Sequence, residues 1–460
     1  MRGDPSGKGH GSEMGRGRGG AKVIEPTYRR RRRQGFRSDC QNLPTTAPSR
    51  FPLFAAGLAA FCVYFAMYAF RKPVMAVAFA DQPPLWHLLD YKATLIVAQA
   101  IGYALSKMVG VRVVAEHRSD RRAMLILSLV GASWVALLGF ALLPAWAGPL
   151  CLFLNGLPLG MIWGLVIRYL EGRRVSELLA AMLTASFILS SGATKTAGAL
   201  LVQHGVSPFW MPAVAGLLFA PVLIGALAVL ARTPPPDAQD RAERGVRAPM
   251  DRAARHAYLR AHALPLTALV IGYTLLTALR DFRDNFAAEL WGELGDGAPA
   301  AIFSLTEIPV TVVVLIGLAL LAMVRSNLRA LMAIHGAILF GALLLCAATA
   351  LFVAGAIGPV AWMTLIGLGI YSAYAPFSAV LFDRMISLGR SPGNAGFLIY
   401  VADSFGYVGS VALLLVRELA EGHARWLGFF TTATMVTGMV LAVATLLSGW
   451  WFLRRFSPEK

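Results

Sequence analysis

Residues 232–262 read RTPPPDAQDRAERGVRAPMDRAARHAYLRAH, and everything on either side is organised by this stretch. Pro234, Pro235 and Pro236 break any helix, and the charged residues that follow keep the segment in water. Before it, apolar segments begin near Phe51, Ala93, Ala123, Gly148, Leu178 and Phe209. After it, six more begin near Leu264, Ala300, Leu328, Gly358, Ala395 and Trp426. Each has about 20 residues, the length an α-helix needs to cross a ~30 Å hydrocarbon core. The expected fold is an all-α membrane protein of about twelve transmembrane helices in two pseudo-symmetric six-helix halves. The expected parts are a disordered basic tail (1–50), an N-terminal half (51–231), a cytoplasmic linker (232–262), a C-terminal half (263–454) and a short tail (455–460).

Composition agrees with that reading. Hydrophobic residues make up 57% of the 460 and charged residues 15%, against about 25% charged in a soluble domain. The chain lacks the polar surface of a water-soluble globule. Its 42 Lys and Arg outnumber 25 Asp and Glu, yet the basic residues lie between apolar segments. They read as topology signals and contacts for anionic lipid headgroups, so membrane lipids are expected partners and nucleic acid is not. With the N-terminal tail inside, Arg118, Arg121, Arg122, Arg173, Arg174, the linker arginines, Arg325, Arg329, Arg384 and Arg390 all fall in inner loops. The opposite loops near Trp146, Gly205, Glu293 and Gly355 hold no Lys or Arg. Both termini are therefore expected in the cytoplasm, with Arg71, Lys72, Lys92, Arg417 and Arg425 as exceptions.

The Gly- and Arg-rich tail, ending in Arg29 to Arg33, shows no cleavable signal, and Met14 offers a second start. Cys40, Cys62, Cys151 and Cys346 lack metal-ligand spacing and read as small hydrophobes. No nucleophile–base set, metal cluster or cofactor fingerprint is present in the sequence, so neither an enzyme nor a bound cofactor or metal is expected.

Traces of a repeat support two parallel halves. Pro52 precedes Phe70-Arg71-Lys72-Pro73 by about the distance from Pro265 to Phe282-Arg283-Asp284-Asn285. Gly156-Leu157, Trp163 and Arg173 find Gly367-Leu368, Tyr374 and Arg384 at matching offsets. Ala185-Ser186-Phe187 is echoed by Asp403-Ser404-Phe405. Six spans, a basic linker and six more is a layout of many secondary transporters.

Ionisable groups within such spans are costly, about 2.5–3.5 kcal/mol each on insertion scales, and mark functional sites or partners. Arg71 and Lys72 belong to helix one if it runs on toward Phe79; otherwise they cap a shorter helix by snorkelling. Arg280, Asp281, Arg283 and Asp284 lie in helix seven, where Asp284 is within reach of Arg280 and Arg283 as a purely internal pair. Lys107 in helix two, Lys195 in helix five and Glu307 in helix eight require partners on neighbouring helices. Asp403 in helix eleven has no local basic partner, which makes it, with Glu307, a candidate for proton coupling. Tyr68, Tyr103 and Trp163 either line a polar cavity or serve as ordinary packing and belt residues.

At these residues the chain resembles the major facilitator superfamily, and within it the organophosphate:phosphate antiporter branch. Tyr68-Ala69-Phe70-Arg71-Lys72 resembles that branch's first-helix arginine motif, and Tyr103-Ala-Leu-Ser106-Lys107 its second-helix element. Gly160-Met161-Ile-Trp163-Gly164 is similar to its fourth-helix Gly-Met-Gly-Trp-Pro, and Leu279-Arg280 with Asp284 to its seventh-helix segment. Glu116-His117-Arg118-Ser119-Asp120-Arg121-Arg122 departs from the superfamily's Asp-Arg-x-Gly-Arg signature, and the repeat pairs Arg71 with Arg283 rather than Arg280. Together these resemble a distantly related bacterial family. The resemblance implies a monomeric secondary transporter of a small organic anion in a bacterial inner membrane, working by alternating access. Arg71 and Arg280, with Arg283 and Lys107 nearby, would bind the anionic substrate, shaped by Tyr68, Tyr103 and Trp163. Two alternatives stand beside it: a proton-coupled carrier of another solute using Asp403 or Glu307, and a non-transporting membrane sensor.

Overall fold

The computed structural model describes residues 51–85, 89–116, 121–170, 176–233, 252–295, 299–389, 395–419 and 425–456. The expected tail, most of the linker, Arg118, Arg173, Arg174, Arg390 and the last four residues lie outside the described residues. Among the described residues twelve long helices follow one another. The first six are α1 Phe51–Tyr68, α2 Tyr91–Glu116, α3 Arg122–Leu142, α4 Ala145–Leu170, α5 Ser176–Gln203 and α6 Met211–Ala231. The second six are α7 Ala263–Asn285, α8 Ile302–Ala322, α9 Asn327–Val353, α10 Pro359–Pro376, α11 Ala395–Leu419 and α12 Trp426–Phe456. Eight of these are long and apolar enough to cross a membrane by length and composition. Their exposed faces carry Leu, Val and Ile, as in α3, α6 and α8, because lipid, unlike water, accepts apolar side chains.

Several helices are interrupted near polar residues. α1 does not continue to Phe79, as its apolar run allows, but stops at Tyr68. Pro73 has no N–H to continue the helical ladder, and the chain passes through a turn into a short 3₁₀ segment, Pro73–Ala76. Carbonyls released by this break need donors where no water competes. Asn155 of α4 donates to the Phe70 carbonyl at 2.9 Å, Gln99 of α2 to that of Arg71 at 3.5 Å, and Lys92 to that of Met75 at 3.2 Å. α7 likewise stops at Asn285 and resumes as Ala287–Leu294. Beyond Pro376, which lacks the N–H a regular helix would use, α10 loosens into a wide π-type turn, Phe377–Leu381, before Phe382–Gly389.

One hydrophobic cluster lies wholly in the first half apart from Tyr407 at its margin, and a second is centred on the C-terminal helices. Between the halves, α5 packs along α8 and α2 touches α11. Within the first half, α2 and α4 cross at backbone distance. A Cβ on Gly102 or Gly156 would collide with the carbonyls of Phe153 and Gln99, and one on Gly160 would meet Tyr103 and Ser106. Asn155 adds hydrogen bonds to Gln99 (2.8 Å) and to the Ser133 hydroxyl (2.6 Å), fastening α2 and α3 to α4. Small residues at such crossings are the usual means of close packing in lipid.

Gly156→Leu should therefore destabilise the purified protein by about 1–3 kcal/mol, the cost of overpacking, read as a lower unfolding temperature in detergent. Gly131→Leu, where a Cβ meets nothing within 4 Å, should leave that temperature unchanged.

Candidate functional site

A cavity of about 110 Å³ lies between the halves, lined by α1, α2, α4 and α5 on one side and α7, α10 and α11 on the other. Four cations face it, Arg71, Lys72, Lys107 and Arg280, against three carboxylates, Asp281, Asp284 and Asp403. In a low-dielectric interior each charge is strongly driven to find a partner, and the pairing pattern defines the site.

Arg280 is already neutralised. Its Nε and terminal nitrogen donate to one oxygen of Asp281 at 3.1 and 2.7 Å, and the other oxygen accepts from Ser410 at 2.8 Å. Its guanidinium also lies over Tyr374, 4.2 Å from the ring centroid. The partner is thus Asp281 and not Asp284, which corrects the internal pair available in the sequence. Lys107 pairs across the halves with Asp403 at 2.9 Å. Asp403 therefore does have a basic partner, supplied by α2 and not by its own helix. Its other oxygen accepts from the Tyr273 hydroxyl at 2.5 Å, and the Tyr374 hydroxyl lies 3.1 Å from that of Tyr273.

Arg71 is the exception. Its guanidinium stacks on Tyr103, 4.0 Å from the centroid, and Nε is buried without a hydrogen-bond partner. Among the described residues no carboxylate forms a salt bridge with it. Arg71, Asp281 and Tyr407 also wall off a smaller polar cavity of about 30 Å³, which includes Gln99, Asn285 and Ser410.

Helices of alternating direction put the ends of α1 and α7 at the same end of the bundle, termed distal here. There the halves are tied by ion pairs. Lys72 and Lys195, from α5, both bind Asp284 of α7, and Lys92 binds Glu289 at 2.7 Å. Arg417 binds Asp90 at 3.2 Å and stacks on Trp426, its guanidinium carbon 3.4 Å from the ring. Lys72 is 4% exposed, so it does not snorkel as a helix-capping residue at the interface would; the break after Tyr68 turns it inward.

Of the residues expected from sequence, Arg71, Arg280, Lys107, Tyr68, Tyr103, Trp163 and Asp403 all line the central cavity. Arg283 and Glu307 do not. They form a buried pair at 2.6 Å, with Arg283 also donating to the Met363 carbonyl at 3.1 Å. Arg283 packs against Gly367, and Glu307 against Gly192 at the α5–α8 crossing. Reading Arg283 as the partner of Asp284 is corrected too. Lining residues not expected as site members include Tyr273 and Tyr407, and also Lys72, Asp281 and Asp284, which the sequence marks only as charges within spans. Tyr407 stands four residues after Asp403, on the same helix face, which was a usable signal; nothing local marked Tyr273.

Comparison with known proteins places the chain in a family. Residues 73–455 match the model of a family of unknown function, DUF5690, and the chain belongs to it. No curated protein matches the chain. The crystal structure of the nucleoside transporter NupG aligns with a TM-score of 0.55 at 14% identity, covering 89% of this chain and 100% of that one. The D-xylose-proton symporter aligns at 0.54 and 15% identity, covering 88% and 97%. A bacterial homologue of the human lysosomal transporter Spinster aligns at 0.55 and 12%, covering 89% and 98%. These likenesses establish the fold alone: an all-helical, major-facilitator-like arrangement of two six-helix halves.

Glu307→Gln should leave the Arg283 charge buried and uncompensated, a loss of about 3–5 kcal/mol. The double replacement Arg283→Met with Glu307→Leu should recover most of it. Thermal unfolding of the two variants and the parent checks this, and equal stability of Glu307→Gln and the parent would remove the pair from a structural role.

Proposed function

We propose that this DUF5690 member is a secondary transporter that carries a small organic anion, a phosphorylated metabolite or a carboxylate, by alternating access of its two halves. The observation that carries the proposal is Arg71: a permanently charged guanidinium, half-buried between the two halves with its Nε fully buried, facing a cavity with no carboxylate of its own. An unpaired charge there is costly, and an anionic substrate is the natural species to relieve it. Arg presents a planar fork suited to phosphate or carboxylate oxygens. Tyr103 holds the guanidinium in place, while Tyr68 and Trp163 shape the wall behind the anion. Arg280 and Lys107 serve as secondary ligands, since each must first loosen its hold on Asp281 or Asp403.

The similar folds are named for a sugar, a nucleoside and a lysosomal transporter, so the fold supports transport without choosing a substrate. Cavity charge supports an anion. The protein would act as a monomer in a bacterial inner membrane with both termini in the cytoplasm, in keeping with the distribution of its loop arginines.

Ligand-induced thermal stabilisation of the purified protein tests the proposal, with phosphorylated metabolites, carboxylates and neutral solutes as the panel. A binding anion at a hundred times its Kd should stabilise by about 2.7 kcal/mol, and Arg71→Gln should abolish the shift. Asp281→Asn, which frees Arg280, should tighten anion binding. Full anion shifts in Arg71→Gln, or shifts with neutral solutes alone, would end the anion reading.

A further inference from the structure

Four carboxylates at or near the joint are each matched to a single cation: Asp281 to Arg280, Asp403 to Lys107, Glu307 to Arg283, Glu289 to Lys92. Asp284 is matched to two. One oxygen accepts from Lys195 at 2.7 Å and from Ser191; the other takes Lys72. Lys72 and Lys195 come from one half and Asp284 from the other, and the three residues are 4%, 2% and 7% exposed. The cluster thus holds one surplus positive charge at the joint between the halves.

Among the described residues facing the central cavity, Arg71 and this cluster both carry surplus positive charge, and they differ in chemistry. A guanidinium does not deprotonate in a protein, whereas a buried lysine can release its proton. We propose that the Lys72–Asp284–Lys195 cluster is a proton-exchanging site: it gives up one proton when the distal end closes and takes it back when the halves part. The inference rests on the alternating-access reading and assigns it a coupling ion. The groups facing the cluster act with this surplus. Arg71 adds positive charge from the cavity side, and Asp281 there is held by Arg280. Lys92 with Glu289, and Arg283 with Glu307, are balanced pairs on the remaining sides. Asn285 accepts from Lys72 at 2.8 Å, a neutral contact that holds the amine in place whether or not it carries the extra proton.

Spin labels on the exposed positions Trp146 and Val353, one on each half at the distal end, report the open and closed populations in nanodiscs. Between about pH 6 and pH 10, the range between buried and free lysines, acid should favour the open state. The open-to-closed ratio should change by up to about tenfold per pH unit, the linkage of one proton. Lys195→Met leaves Lys72 and Asp284 as a balanced pair and should flatten this dependence. Should that variant misfold, Lys72→Arg combined with Lys195→Arg keeps both charges without a proton to release, and should flatten it as well. Two populations that ignore pH, or an unchanged slope in these variants, would overturn the proton site and leave alternating access standing. A single distance at every pH would overturn both.

Discussion

Charge placed where water is scarce must find opposite charge, and the architecture follows from how that requirement is met. The lysines of the first half that lie at the joint, Lys72, Lys92, Lys107 and Lys195, are answered by carboxylates of the second, Asp284, Glu289 and Asp403. Apolar contact alone would hold two helical bundles together weakly in lipid, because lipid tails are as apolar as the helices. Ion pairs across the joint give it specificity. In the proposed alternating access they would also make it divisible, since each partner could exchange its counter-ion for water or for a bound anion.

For Lys72, an interrupted helix brings the group inward. A continuous α1 would have carried Lys72 onward along the helix axis; the break before Pro73 turns it toward α7 instead. The same break releases carbonyls that Asn155, Gln99 and Lys92 satisfy. Irregular backbone at membrane depth is tolerated only where protein or a cavity supplies hydrogen bonds. Here the supporting donors and the cavity are neighbours, so the local departure from helix and the functional site are one feature.

Aromatic rings do the remaining work of holding charge. Arg71 lies on Tyr103, Arg280 on Tyr374, Lys107 near Tyr407. A ring face attracts a cation without neutralising it. Arg71 is therefore positioned yet still available, whereas Arg280 is both positioned and neutralised by Asp281. That asymmetry ranks the two arginines, which sequence motifs treat as equals.

Length and hydropathy determined the membrane class, the helix count and the division at the polar linker, because spanning is a local property of about 20 consecutive residues. Charges within apolar spans and the resemblance to a known family brought out Arg71, Arg280, Lys107, Tyr68, Tyr103, Trp163 and Asp403, all of which line one cavity. Pairing was not legible. Sequence proximity suggested Asp284 for Arg280 and Arg283; the folded chain gives them Asp281 and Glu307, and gives Asp284 to two lysines of the other half. Asp403, solitary along its own helix, meets Lys107 from 296 residues away. Whether a charge is free or spent depends on which helices cross and at what depth, and those crossings are set by packing between segments that no local pattern connects.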